Sequence, residues 1–260
     1  MTARRPEALV GTSGWSYDDW RDTLYAGVPR ARWLAHYAAL YDSVEVNASF
    51  YRSLAPATYA EWREQTPSSF RFAVKGSRYI THVRKLHDPG ESIARQRDAA
   101  ALLGDKLAAV LWQVPAGLHR HDDLLHGFLR ALGSWPGPRH AMEFRDASWF
   151  AREVAEALGR HRVANVISDA SDWPRWDALT TDFVYVRLHG HDATYRSAYP
   201  EPALREWALR VRGWLAELRS VYVYFDNTDA GHAPHDAARL AAMLRDPQLT
   251  RPPARRRTGR

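Results

Sequence analysis

Apolar and polar residues alternate in several short, separated stretches of this chain. In residues 43–52, SVEVNASFYR, an extended backbone puts Val44 and Val46 on one face and Glu45, Asn47 and Ser49 on the other, because successive strand side chains point to opposite sides. The same two-residue period recurs in RFAVKGS (71–77), where Phe72 and Val74 oppose Ala73 and Lys75. In AMEFR (141–145), Met142 and Phe144 oppose Glu143 and Arg145. In FVYVRLHG (183–190), Val184, Val186 and Leu188 oppose Tyr185, Arg187 and His189. Four separate strands therefore carry ionisable groups on one face, mostly near the carboxyl end. Residues 9–15, 163–169 and 220–227 read as three further strands, and the nearly unbroken apolar run KLAAVLWQVP (106–115) as a strand buried on both faces.

Between these strands the period changes to that of a helix. Residues 30–41 place Trp33, Leu34, Tyr37 and Leu40 on one stripe. Helices are predicted at 58–65, stopped by Pro67, at 91–103 with Gly104 as a left-handed cap, and at 122–132, 152–160, 202–219 and 235–244. Residues 170–182 show no helical period. Eight strands alternating with helices at βα-unit spacing predict an α/β fold, a (β/α)8 TIM barrel whose helix after the sixth strand is abbreviated. The competing open doubly wound sheet lacks support, since no glycine-rich phosphate fingerprint follows any strand. The expected organisation is an N-terminal arm over 1–8, a single barrel over 9–246 and a basic, disordered tail over 247–260.

Active sites of such barrels sit at the carboxyl ends of the strands. Glu45, Asn47, Lys75, Gln113, Glu143, Arg145, Asp169, Arg187, His189 and Asn227 all fall there on the predicted boundaries. Arg145, Arg187 and Lys75 would hold a small anionic ligand, since arginine offers paired hydrogen bonds to carboxylate or phosphate. Glu45 and Glu143 are the candidate acid and base, with His189 as an alternative proton carrier, chemistry that would suit a hydrolase, lyase or isomerase. Asn47, Gln113 and Asn227 would orient the ligand, and Trp15 and Tyr17 of the aromatic loop after the first strand could stack on it. The competing explanation is that the charges are ion pairs plugging the top of the barrel. No cofactor is expected. Glu143, Asp169 and His189 would be the set for a divalent metal, but no clustered ligand spacing supports one and two arginines stand beside them.

Composition changes this picture in two places. The 260 residues include no cysteine, which excludes disulfides and thiolate metal sites. With no apolar signal segment and no stretch long enough to cross a membrane, a cytoplasmic protein is expected. The net charge of +6 is concentrated at the end: residues 251–260 hold five arginines and no acid, so the rest of the chain is nearly neutral. That tail, with the basic loop carrying Arg78, His82, Arg84, Lys85 and His87, gives the alternative expectation of nucleic-acid binding.

GTSGWSYDDW, SVEVNASFYR, FAVKGSRYITH, LWQVP, EFRDASWF, YVRLHG and VYFDN, in this order, resemble the DUF72 (YecE-like) family over about residues 9–245. The resemblance implies a TIM barrel. It implies no established activity, and a relationship to endonuclease-IV-like barrels implies DNA binding, with a repair-related role, as the alternative function. The family often ends its last strand with paired asparagines; here Asp226 and Asn227 stand, and His235 and Asp236 occupy the later asparagine region.

Overall fold

The computed structural model describes residues 6–249. Eight parallel strands, β1 (Ala8–Thr12), β2 (Ser43–Val46), β3 (Arg71–Lys75), β4 (Leu107–Gln113), β5 (Arg139–Glu143), β6 (Val163–Asp169), β7 (Phe183–Leu188) and β8 (Ser220–Phe225), form one sheet. Its order runs β1-β8-β7-β6-β5-β4-β3-β2, so the sheet curls round until its two edges meet. The surrounding helices are α1 (Trp33–Leu40), α2 (Ala48–Tyr51), α3 (Pro56–Glu64), α4 (Gly90–Ala100), α5 (Asp122–Leu132), α6 (Arg152–Arg160), α7 (Glu201–Ala216) and α8 (His232–Arg245). This is a (β/α)8 TIM barrel, and residues 170–182 contribute no helix.

The two-residue period decides which side chains enter the barrel. Outward-facing Val44, Val46, Phe72, Val74, Val184 and Val186 pack against the helices in the larger apolar cluster. The inward set is a second cluster of Leu9, Ala73, Ala109, Leu111, Ala141, Ala164, Val166, Phe183 and three tyrosines. Small alanines on β3 to β6 face Tyr185, Tyr222 and Tyr224 from β7 and β8, so large residues on one side fill the space left by small ones on the other. Helix α5 shows the outer layer at its simplest: Leu125, Phe128, Leu129 and Leu132 are buried at a spacing of three and four residues.

Edges β1 and β2 close only at their carboxyl ends. Ser13 bridges to Glu45, and the Gly14 N–H donates to the Glu45 carbonyl at 2.7 Å. Below that point the Tyr37 hydroxyl from α1 acts as a wedge. It accepts from the Thr12 N–H at 2.9 Å and donates to the Ser43 carbonyl at 3.1 Å. A side chain at Gly11 would stand 1.9 Å from that carbonyl oxygen, so the strands can approach only because residue 11 has none.

Several local expectations are corrected. The strand read over 43–52 ends at Val46. Asn47 adopts helical angles (φ −86°, ψ −21°) and α2 follows. The Ser49 hydroxyl donates to the carbonyls of Val46 and Lys75, at 3.1 and 2.7 Å, turning the chain back over β3. Neither Asn47 nor Ser49 therefore continues the inner face. Gly104 has positive φ (58°) but ψ of −131°, a conformation that is not the left-handed cap expected. Strands β5, β7 and β8 stop before Arg145, His189 and Asn227, which lie just beyond their ends. Leu249 is buried and its carbonyl accepts from Arg212 Nη1 at 2.9 Å, so the chain still packs within the span assigned to the tail. The arginines of the expected tail, 251–260, and residues 1–5 of the expected arm lie outside the described residues.

Candidate functional site

At the carboxyl end of β7, Arg187 points into the barrel and is fully buried. Its Nε donates to both Glu45 oxygens at 3.1 and 3.2 Å, and Nη2 reaches Glu45 Oε1 at 2.8 Å. Nη2 also donates to Asp226 Oδ2 at 2.9 Å and to Ser13 Oγ at 3.2 Å, while Nη1 donates to Glu143 Oε2 at 2.7 Å. One guanidinium thus joins carboxylates from β2, from β5 and from the end of β8. Tyr185, one layer lower, donates to Glu45 Oε2 at 2.7 Å, and Ser13 Oγ donates to Glu45 Oε1 at 2.5 Å. Buried ions need this density of partners to offset lost hydration.

Glu143 has a second cation. Arg145 Nε donates to its Oε1 at 2.9 Å, and the Arg145 guanidinium lies 3.9 Å from the centroid of the Trp173 ring. Arg145 Nη1 donates to the Tyr195 hydroxyl at 3.2 Å. Burial works to raise the Glu143 pKa, but Arg145 and Arg187 overcome it and hold the carboxyl well below the usual range. Asp226 follows the same logic: burial opposes ionisation, and Arg187, His189 and Lys75 prevail.

His189 is completely buried beside this network. Its Nε2 lies 3.3 Å from Arg187 Nη1, which can only donate, so Nε2 is the accepting nitrogen. Nδ1 stands 3.0 Å from Asp226 Oδ2, near enough for charge interaction but off the line of a hydrogen bond.

Lys75, at the end of β3, differs from every other charge here. Its side chain is 7% exposed, and among the described residues its Nζ has no hydrogen bond or carboxylate partner. The nitrogen sits 4.2 Å from the centroid of the Phe50 ring. Burial first and the Arg187 charge second push its pKa down to about 8. His82 packs edge-on against the same Phe50 ring, 5.0 Å between centroids, and its pKa is pushed down to about 4 by burial and then by Lys75 and Arg78.

The structure brings together Glu45, Glu143, His189, Arg187, Arg145 and Lys75 of the residues singled out from sequence. Gln113 reaches the same mouth from β4, where it pairs in register with Glu143, and its amide donates to the Val114 carbonyl at 3.3 Å. Asn227 does not join them. Its amide donates to the Ser197 carbonyl and to Asp236 Oδ2, both at 2.9 Å, tying the end of β8 to α8. Asn47, Trp15 and Tyr17 line an open groove of about 450 Å³ beside the mouth, with Arg52 and Trp62. The Asn47 side-chain oxygen is buried there without a hydrogen-bond partner. Asp169 faces away, accepting from Tyr199 at 2.9 Å and from Arg175 at 3.1 Å, so it is not joined to Glu143 and His189. Among the described residues no three His, Asp or Glu side chains stand together as metal ligands.

Asp226, Ser13 and Tyr185 were missed as site residues. Parity could have found Asp226, because Tyr222, Tyr224 and Asp226 share a face while Asn227 has the opposite one. Including it brings the formal charge of the mouth to zero with His189 neutral, since Lys75, Arg145 and Arg187 stand against Glu45, Glu143 and Asp226. Trp173 comes from an irregular loop, where no period marks it.

The motifs that build this mouth are spread from β1 to β8, and they decide the kinship. A DUF72 family model, described as a protein of unknown function, matches residues 9–258. The chain belongs to the DUF72 family. Its relatives include YunF of Bacillus subtilis, 24% identical over 271 residues that cover 90% of this chain and 94% of that protein. YecE of Escherichia coli is 27% identical over 153 residues, 58% of this chain and 53% of YecE. A solved DUF72 family protein from Thermotoga maritima superposes with a TM-score of 0.81 at 28% identity, covering 92% of this chain and all of that one. One from Enterococcus faecalis gives 0.80 at 20% identity, covering 91% and 95%, a likeness of fold. Among the described residues no helix is long and apolar enough to cross a membrane.

Proposed function

We propose that this DUF72 barrel binds a small anionic ligand, a carboxylate or phosphate compound, at the carboxyl-end mouth beside β3 and β5. The observation that carries the proposal is Lys75: a buried amine without an acid partner, in a mouth where three carboxylates are bound to other cations. Burying an unpaired charge is costly, and a ligand anion would supply the missing partner. Arg145 adds a second donor on the rim, because Nε and Nη1 are engaged and Nη2 is left over. Arg187, given the leading role from sequence, has its guanidinium occupied by Glu45, Glu143 and Asp226, so it positions those acids rather than gripping the ligand. The paired arginines keep Glu143 ionised, which suits orienting charge rather than donating a proton.

Thermal unfolding with inorganic phosphate and with small carboxylates tests this. A ligand at 100 times its Kd stabilises the fold by about 2.7 kcal/mol. The expected result is stabilisation that disappears in Arg145→Met and Lys75→Met. Absence of stabilisation by every anion, at concentrations up to tens of millimolar, would overturn it.

A nucleic-acid reading draws on one observation, the exposed Arg78, Tyr79, Arg84 and Lys85 on the loop after β3. Duplex DNA that bound there would be released steeply as salt rises. Deletion of residues 251–260 would report the tail's share.

A further inference from the structure

The amine of Lys75 has features that anion binding alone does not require. The chain uses arginine 33 times and lysine three times, so lysine is the exception wherever it occurs. Lys106 is accounted for by geometry: its compact ammonium donates to the carbonyls of Arg63 and Thr66 and to the Thr66 hydroxyl, at 2.6, 2.6 and 3.0 Å. Lys85 is exposed on the loop after β3. Lys75 has no such set of acceptors. Arginine would hold a carboxylate or phosphate at least as well, but it stays charged, whereas lysine can lose its proton and become a nucleophile.

The surroundings favour that loss. Glu45, Glu143 and Asp226 stand in the same mouth, yet each is bonded to Arg187, and none is within 4.0 Å of Lys75 Nζ. The nitrogen sits over the Phe50 ring instead, a contact that favours the ammonium, but burial and the Arg187 charge outweigh it. With a pKa of about 8, roughly one amine in ten is neutral at pH 7. The strand end that carries it is held firmly. The Lys75 carbonyl accepts from Ser49 Oγ at 2.7 Å and from Gln96 Nε2 at 3.1 Å, and the Gly76 N–H donates to the Leu111 carbonyl at 2.7 Å.

We propose that Lys75 condenses with the carbonyl group of a small compound that also carries a carboxylate or phosphate, forming an imine in the barrel mouth. This rests on the anion-binding reading above and names its substrate class. Arg145 Nη2 would hold the anionic end while the carbonyl carbon meets Nζ. The neutral amine attacks that carbon, the C–N bond forms, and the carbonyl electron pair moves to oxygen. The proton released from nitrogen passes to that oxygen, giving a carbinolamine. Loss of the hydroxyl with one more proton, as water, leaves the C=N bond; amine and carbonyl become imine and water, with no oxidant or reductant consumed. His82 is suited to relay these protons. It is neutral at pH 7, it packs against the same Phe50 ring, and its Nδ1 is bonded to Thr81 Oγ at 2.8 Å, so Nε2 is the nitrogen left to exchange a proton.

The test treats the full chain with glyoxylate or pyruvate in the presence of sodium borohydride, which reduces an imine to a stable amine. Digestion and mass spectrometry then locate the adduct. The expected product adds to Lys75 the mass of the probe less one oxygen atom, ahead of the exposed Lys85, and is absent at that position in Lys75→Arg. Labelling of Lys85 without Lys75 would overturn the inference in the unmodified chain, even if the variant failed to fold. Added inorganic phosphate separates the two readings. Phosphate that slows labelling of Lys75 supports both. Labelling of Lys75 that phosphate leaves unchanged supports the imine but overturns the anion site. Probes that stabilise the fold yet never label Lys75 overturn the imine and leave the anion site standing.

Discussion

Arg187 and Glu45 lie 142 positions apart in the chain, yet their side chains meet inside the barrel through three hydrogen bonds of 2.8 to 3.2 Å. Neither is exposed to solvent. The pair spans from β7 to β2, so it can form only when the sheet has curled round. Its integrity reports on closure of the barrel as well as on the site.

Arg187→Met removes the cation shared by three buried carboxylates. It should destabilise the fold by about 3–5 kcal/mol, the cost of leaving buried charge uncompensated. Urea denaturation would register this as a lower midpoint at unchanged slope. A loss below about 1 kcal/mol would mean that the carboxylates find other partners.

Lys75 should make stability depend on pH in a defined window. Its folded pKa lies near 8 and its ordinary value near 10.5, so between these the unfolded chain binds more protons. Stability contributed by this group therefore rises with pH across the window, and below it the buried ammonium is a liability of up to about 3 kcal/mol. The neighbours acting on it are Arg187, Asp226, Glu45 and Glu143, and the latter three offset part of that cost. Lys75→Met should be more stable than the parent at pH 7, with the difference shrinking toward pH 10. A difference curve flat in pH would contradict this.

Tyr37→Phe removes the wedge at the seam between β1 and β2. The buried Thr12 N–H loses its partner, at a cost of about 1–3 kcal/mol. Gly11→Ala should be worse, because the new carbon meets the Ser43 carbonyl at 1.9 Å and the edges must separate. Thermal unfolding of both variants gives the order.

Asp226→Asn takes one negative charge from a mouth whose formal charges otherwise cancel. Phosphate affinity should rise by about 1 kcal/mol, roughly fivefold. Calorimetric titration of the folded variant checks this, and unchanged affinity would place the anion away from the Asp226 side.

Local spacing was enough for the fold. Alternation at Val44, Glu45 and Val46, and again at Val184 to Leu188, marked strands with one face turned inward, and the spacing of Leu125, Phe128, Leu129 and Leu132 marked a helix to the residue. The same alternation placed Glu45, Lys75, Glu143 and Arg187 on the inner face. It failed at Asn47, where Ser49 bonds to the carbonyl of Lys75 and folds the strand into a turn; at Asn227 the alternation held, directing that side chain to Asp236 and Asp226 into the barrel.

The sequence by itself determined the barrel and the identity of most charges at its mouth, because strand and helix periods are properties of neighbouring residues. Which charges pair was decided only by the tertiary structure. Arg187 could have met Lys75's neighbours in several combinations. Closure of the sheet brought Glu45, Glu143 and Asp226 to it from three separate strand ends and left Lys75 facing Phe50 without an acid partner. Such pairing depends on strand order, stagger and curvature, which relate residues far apart in the chain and leave no trace in local spacing.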